Sequence, residues 1–281
     1  MNDTPDTPPP RSHGRPAPAP SLTPPPLMED RPQRAGTWEA RIITLFPGAF
    51  PGVLGESLTG KALAEGLWRL ETLDLRRFGK GRHRNVDDTP AGGGAGMVLR
   101  ADVLGEAIDA ACAGLPDDRA RWPLVCLSPR GRPFDQATAQ RFAACDGITL
   151  ICGRFEGVDE RVLEEYRIEE LSLGDFVMTG GEIAAQAVID ATVRLRPGVL
   201  GNAASTEEES FAHGLLEHPH YTRPAEWRGR RIPEVLTSGD HGAVERWRHQ
   251  QAQRITAERR PDLWQAFEAR RDDRPRKPRQ R

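Results

Sequence analysis

Four short apolar runs, Ala40 to Phe46, Trp68 to Leu75, Pro123 to Leu127 and Ile148 to Cys152, are rich in β-branched residues and bounded by Gly or Pro. Helical patterns at Ala101 to Ala113 and Gln136 to Ala144 fall between them. Strands that alternate with helices imply an α/β fold with a largely parallel sheet. A further amphipathic helix is predicted over Gly181 to Leu195, with Ile183, Ala187, Val188, Ile189 and Val193 on its apolar side and Pro197 and Gly198 ending it. At 281 residues the chain has room for one α/β domain of ordinary size and a smaller second one.

The stretch from Ile151 to Glu182 places two glycine-bearing turns after apolar runs. Sharp bends at Gly153, Gly157, Gly174, Gly180 and Gly181 would let backbone N–H and C=O groups approach a flat, adenine-bearing ligand with no Cβ atoms in the way. One such turn is no more than strand-to-helix punctuation, whereas two close together favour a ligand pocket. The chain has no G-x-G-x-x-G between a strand and a helix, so a dinucleotide fold is not indicated.

Residues 1–37 hold 11 of the 25 prolines and almost no large apolar side chains, a composition expected to stay disordered, and Met28 offers an alternative start. Charge is uneven although the net is only −2: residues 1–37 sum to 0, residues 38–221 to −9 and residues 222–281 to +7. A basic C-terminal module beside an acidic domain suggests a polyanionic partner, most simply nucleic acid. Arginine supplies nearly all of that charge, since only Lys61, Lys80 and Lys277 are lysines. The four cysteines, Cys112, Cys126, Cys145 and Cys152, form no C-x-x-C pair and read as buried thiols of a cytosolic protein. No apolar run reaches the length of a membrane span and the N-terminus lacks a secretory segment, so a cytoplasmic location with no membrane partner is expected.

Residues 198–220 show no sustained period and read as a long mobile connection. Beyond it, His241 to Ala257 and Pro261 to Ala269 read as helices with Trp247, Ile255, Leu263, Trp264 and Phe267 as core. Phe78 to Met97 reads as a flexible loop whose basic head, Arg82 to Asn85, suits a phosphate or a base edge.

The strings IITLFP, HRNVDD, GGGAGM, LSPRGRPFDQ, ICGRFEGVDERV, LSLGDFVMTGGE, RLRPGVLG, ESFAHGLLEHPHYTRP and RRIPEVLTSGDH occur in one order from Ile42 to about Trp264. In this the chain resembles the bacterial tRNA (guanine-N1)-methyltransferases of the SPOUT class. The resemblance implies a parallel sheet carrying a deep trefoil knot, a small C-terminal helical domain, and a homodimer with its active site at the subunit interface. It also implies S-adenosylmethionine as methyl donor and guanosine 37 of tRNA as target. The corresponding boundaries are a tail at 1–37, a knotted methyltransferase domain at 38–197, the connection at 198–220, a tRNA-binding domain at 221–270 and a basic tail at 271–281.

The same resemblance assigns the donor pocket to Leu127, Ser128 and Pro129, to Gly153, Phe155, Glu156 and Gly157, and to Ser172, Leu173, Gly174, Asp175, Phe176, Val177 and Met178 with Gly180 and Gly181. Phe155 and Phe176 stand where the family commonly has tyrosine, and Ala184 replaces a frequent proline. Arg194 aligns with the catalytic arginine, which would stabilise charge developing on guanine O6. The base, an aspartate in the family, falls on Glu209; Glu207 or Glu208 could substitute for it. Tyr221, Arg223 and Arg248 would face RNA, with Arg246 and Trp247 nearby. The family's magnesium dependence would involve Glu156 and the Glu209 region. Two rivals remain at this stage: a knotted methyltransferase acting on another RNA position, and a catalytically silent RNA-binding homologue.

Overall fold

Trp38 and Trp68 lie side by side on adjacent parallel strands, both fully buried. Each indole N–H is satisfied from an element packed on the sheet, Trp38 donating to the Phe142 carbonyl at 3.0 Å and Trp68 to that of Thr59 at 2.9 Å. The computed structural model describes residues 36–201, 209–211 and 213–272. The expectations for residues 1–35, for Glu207 and Glu208 and for the last residues of the basic tail lie outside them.

The first half of the chain runs β1 (Trp38–Thr44), α1 (Ser57–Ala64), β2 (Trp68–Asp74), β3 (Asp87–Asp88), β4 (Val98–Leu99) and α2 (Ala101–Cys112). It continues through β5 (Leu124–Pro133), α3 (Gln136–Ala144), β6 (Gly147–Cys152), α4 (Glu160–Glu165), β7 (Glu169–Ser172) and α5 (Glu182–Val193). A short hairpin, β8 (Glu226–Trp227) and β9 (Arg230–Arg231), precedes α6 (His241–Arg259) and α7 (Pro261–Asp272).

Five strands form one parallel sheet in the order β2-β1-β6-β5-β7. Alternation along the strands sends side chains to two layers. Ala40, Ile42, Val125, Leu127, Ile148 and Leu150 pack with residues of α1, α3 and α5. Ile43, Leu124, Cys126 and Ile151 pack with α2 and α4 on the other face. The sheet is therefore covered on both sides, as the apolar runs require.

The expected strands and helices are present, with ends differing by a few residues. β7 was not anticipated: of its four residues only Leu171 is a large apolar side chain, too few to show a period. α1 and α4 were also missed, being eight and six residues long. On α5 the buried stripe is Ala184, Ala185, Val188, Ile189, Thr192 and Val193. Ile183, 65% exposed, and Ala187 lie one turn apart on the outer face, which corrects their assignment to the apolar side.

Two further expectations change. Phe78 to Met97 is locally built rather than loose, because Lys80 and Asn85 bond backbone to backbone in both directions and β3 pairs with β4. In α6 and α7, Trp247, Ile255, Leu263, Trp264 and Phe267 are only half-buried, and among the residues whose burial is described Thr256 alone is buried. The segment before the hairpin packs on α6, where the Leu216 N–H donates to Thr256 Oγ1 at 2.8 Å, but two helices enclose little core of their own.

Candidate active site

The bulge in the middle of β5 and the loops that leave the carboxyl ends of β6 and β7 surround a cavity of about 300 Å³. Ligands of open parallel sheets bind in such a place, where backbone groups emerge from the sheet unpaired. The β5 bulge contributes Leu127, Ser128 and Pro129; the β6 loop contributes Gly153, Phe155, Glu156 and Gly157; the end of β7 and the loop after it contribute Ser172, Leu173, Phe176, Val177, Met178, Gly180 and Gly181. Gly174 and Asp175, which the motif comparison included, are not in the lining. They belong to a tight turn in which the Gly174 N–H donates to Ser172 Oγ at 3.1 Å and the Phe176 N–H donates to the Gly174 carbonyl at 2.9 Å. Arg130, Arg154 and Glu170 also line the cavity and were not anticipated, and Ala184, at the place of the family's frequent proline, lines it too.

Close passage of backbone explains the glycines. The Gly181 N–H donates to the Gly153 carbonyl at 3.0 Å, and a β-carbon at Gly181 would sit 2.7 Å from Cys152 Cα. One at Gly180 would sit 2.1 Å from Arg154 Nε. Phe155 adopts φ of 59°, a left-handed conformation that an aromatic residue rarely occupies, and it turns an exposed ring into the cavity wall. The β6 loop is held from outside by the glycine-rich segment: the Glu156 N–H donates to the Met97 carbonyl and the Leu99 N–H to that of Gly157, both at 2.9 Å. A β-carbon at Gly96 would meet the Glu156 side chain.

A buried ion pair fastens the cavity floor. Glu182, at the start of α5 and only 5% exposed, accepts from Arg154 Nη2 and from Thr44 Oγ1, each at 2.7 Å. Arg154 also donates to the Thr179 carbonyl at 3.0 Å and stacks 4.4 Å from the centre of the Phe46 ring. Nearby, Cys126 contributes a thiol that burial pushes up to about 12, so it is neutral and inert.

Arg194 caps the C-terminus of α5 and meets Glu209 in a two-pronged pair, Nη1 to Oε2 at 2.7 Å and Nη2 to Oε1. This hydrogen bonding holds the Glu209 carboxyl below its ordinary value and raises Arg194 above its own. Neither residue lines the three-loop cavity. Glu209 instead borders a second cavity, of about 490 Å³, with Leu215, Arg248 and Phe267. The structure thus brings Arg194 together with Glu209, and Glu209 together with Arg248. Tyr221, whose ring lies 6.1 Å from that of Trp247, and Arg223 are exposed outside both cavities.

Among the described residues no group of three or more His, Cys, Asp or Glu side chains could hold a metal ion. No helix among them is long and apolar enough to cross a membrane.

Residues 39–266 match the family model described as "tRNA (Guanine-1)-methyltransferase TrmD". The chain is 72% identical over 246 residues to a protein of Ruegeria pomeroyi named tRNA (guanine-N(1)-)-methyltransferase, covering 88% of this chain and 100% of that one. Proteins of the same name from Cereibacter sphaeroides and Brucella suis are 69% and 56% identical, over 83% and 85% of this chain and 93% and 96% of theirs.

Proposed function

Because the chain belongs to the tRNA (guanine-N1)-methyltransferase family, we propose that it methylates N1 of guanosine 37 in tRNA, beside the anticodon, with S-adenosylmethionine as donor. The three-loop cavity at the carboxyl end of the sheet carries this reading. Its walls combine glycine backbone, which admits a flat ring closely, with the faces of Phe155 and Phe176 and the apolar side chains of Leu127 and Met178. When bound, the donor supplies a sulfonium-activated methyl group. The cavity residues hold and orient it, and orientation is most of what such a transfer needs.

Guanine N1 is a poor nucleophile while protonated. Glu209 accepts that proton, and Arg194 stabilises the negative charge that passes to O6. Their resting pair suits this division. The guanine edge offers an N1–H donor and an O6 acceptor side by side, so it can slip between carboxylate and guanidinium and satisfy both. Leaving Arg194 returns to Glu209 the basicity that the pair suppresses.

The separation of Arg194 and Glu209 from the donor cavity of the same chain supports a homodimer in which one subunit's donor meets the other's Arg194 and Glu209. The deep trefoil knot is supported by two close passages. One is the β5 bulge, where a β-carbon at Gly131 would lie 2.2 Å from Leu171 N; the other is Gly181 against Cys152. The 38–197 methyltransferase domain, the 198–220 connection and the 221–270 RNA-binding module complete the reading, set in the cytoplasm. Magnesium has no protein-built cage among the described residues, and Glu156 alone would be a minor ligand beside RNA phosphates.

The test is methyl transfer from labelled S-adenosylmethionine to an unmodified tRNA transcript with guanosine at position 37, beside the same transcript with adenosine there. Transfer only to the guanosine form is expected. Cofactor and tRNA binding without transfer to either would establish the catalytically silent homologue instead.

A further inference from the structure

Between Arg223 and Arg231 the chain carries four arginines, Arg223, Arg228, Arg230 and Arg231, a tryptophan and a single acid, Glu226. The segment folds into the β8–β9 hairpin, with Glu226 opposite Arg231 and Trp227 opposite Arg230. Every residue from His220 to Arg231 is exposed.

Two features mark the tip of the hairpin. Arg228 and Gly229 form a two-residue turn with φ of 51° and 76°. Positive φ at both positions is the condition met at least cost by Asn, Asp or Gly, yet the first is an arginine. Its guanidinium lies 4.7 Å from the centre of the Trp227 ring, and that ring is 58% exposed. A strained backbone thus presents a stacked indole and guanidinium to solvent.

Charge identifies the partner. No carboxylate among the described residues pairs with Arg223, Arg228 or Arg230, and Arg231 reaches Glu226 only at 3.8 Å. An aromatic face beside unneutralised guanidinium groups matches an unstacked nucleobase flanked by phosphates. A lipid surface would call for more apolar area than one indole. We infer that the Trp227–Arg228 hairpin tip is an RNA-stacking contact that binds the tRNA substrate outside the methyl-transfer site. This assignment rests on the tRNA reading above and adds a contact to it that governs affinity.

The test uses the full chain with an unmodified tRNA transcript, measuring Kd across a series of potassium chloride concentrations. Trp227→Ala should weaken binding about tenfold, while Trp227→Phe, which keeps a ring, restores most of it. Arg228→Asn keeps a residue suited to the turn and should lower the slope of log affinity against log salt by about 0.7 to 0.9, one phosphate contact. Donor affinity and sedimentation behaviour should match the wild type in all three. Wild-type tRNA affinity in both Trp227→Ala and Arg228→Asn would overturn the hairpin assignment alone. Weakened binding accompanied by a changed oligomeric state would overturn it in favour of a contact between copies of the chain. A wild-type protein that binds no tRNA would overturn both this assignment and the reading beneath it.

Discussion

Arg194 grips Glu209, fifteen positions further along the chain, with both terminal nitrogens of its guanidinium. Such a fork is stronger than a single contact and fixes the orientation of both groups. The pair is about 30% exposed, so its contribution to folding is modest.

Removing either partner should separate chemistry from donor binding. Arg194→Ala is expected to slow methyl transfer by about 10²–10³-fold, the usual cost of a lost donor to a developing oxyanion. Glu209→Gln should slow it by about 10²–10⁴-fold. Donor affinity, read by calorimetry with S-adenosylhomocysteine, should be unchanged in both, since neither side chain lines the three-loop cavity. Full activity in Arg194→Ala would remove that residue from the mechanism.

The Arg154–Glu182 pair predicts a stability effect. Glu182→Ala strands a guanidinium against the Phe46 ring and leaves Thr44 without its acceptor. Breaking a largely buried pair on one side costs about 3 kcal/mol. Chemical denaturation should show a lower midpoint, and donor affinity should fall with it because Arg154 ties the β6 loop to the Thr179 carbonyl.

At Gly181 the obstacle is backbone. A methyl group there would meet Cys152 Cα at 2.7 Å, and neither the end of β6 nor the start of α5 can give way without opening the cavity. Gly181→Ala should weaken donor binding by more than about tenfold, an overpacking cost of a few kcal/mol. Unchanged affinity by calorimetry would show that the two passages are free to separate.

Asp135 caps α3, accepting from the Thr138 N–H at 2.8 Å and from its hydroxyl at 2.6 Å, and these bonds hold its carboxyl below the ordinary range. Asp135→Ala should cost about 1 kcal/mol near neutral pH. Because the folded-state value is the lower one, the cap's contribution is complete above the unfolded carboxylate pKa. It is lost as pH falls through the folded value. The gap between wild type and variant should therefore narrow below about pH 4 in pH-resolved denaturation.

Burial raises the thiols of Cys126, to about 12, and of Cys152. Neither should react with iodoacetamide in the folded protein at mildly alkaline pH, and both should react once it is denatured. Mass spectrometry of labelled peptides reads this directly, and labelling of Cys126 in the native state would contradict the burial.

Legibility in the sequence followed the range of the interactions. Strands β1, β2, β5 and β6 and helices α2, α3, α5, α6 and α7 could be read because their apolar spacing is local. β7 could not, since one leucine in four residues carries no period. The loops around the cavity were marked by glycines and by the family resemblance, but that Gly174 and Asp175 stand outside its lining was not legible, because a motif does not record which way a turn points. Ile183 was assigned inward for a similar reason: hydrophobicity alone does not tell a covered face from an exposed one.

The sequence by itself determined a parallel α/β sheet, the helices around it, the family, and the residues from which a site could be made. Only the tertiary structure decided that Arg194 meets Glu209, that Glu182 locks Arg154 across 28 residues, and that Arg228 folds over Trp227 on a strained turn. Periodicity records what each segment buries. Which segments then meet is fixed by chain closure and packing over long separations, and no local pattern encodes that.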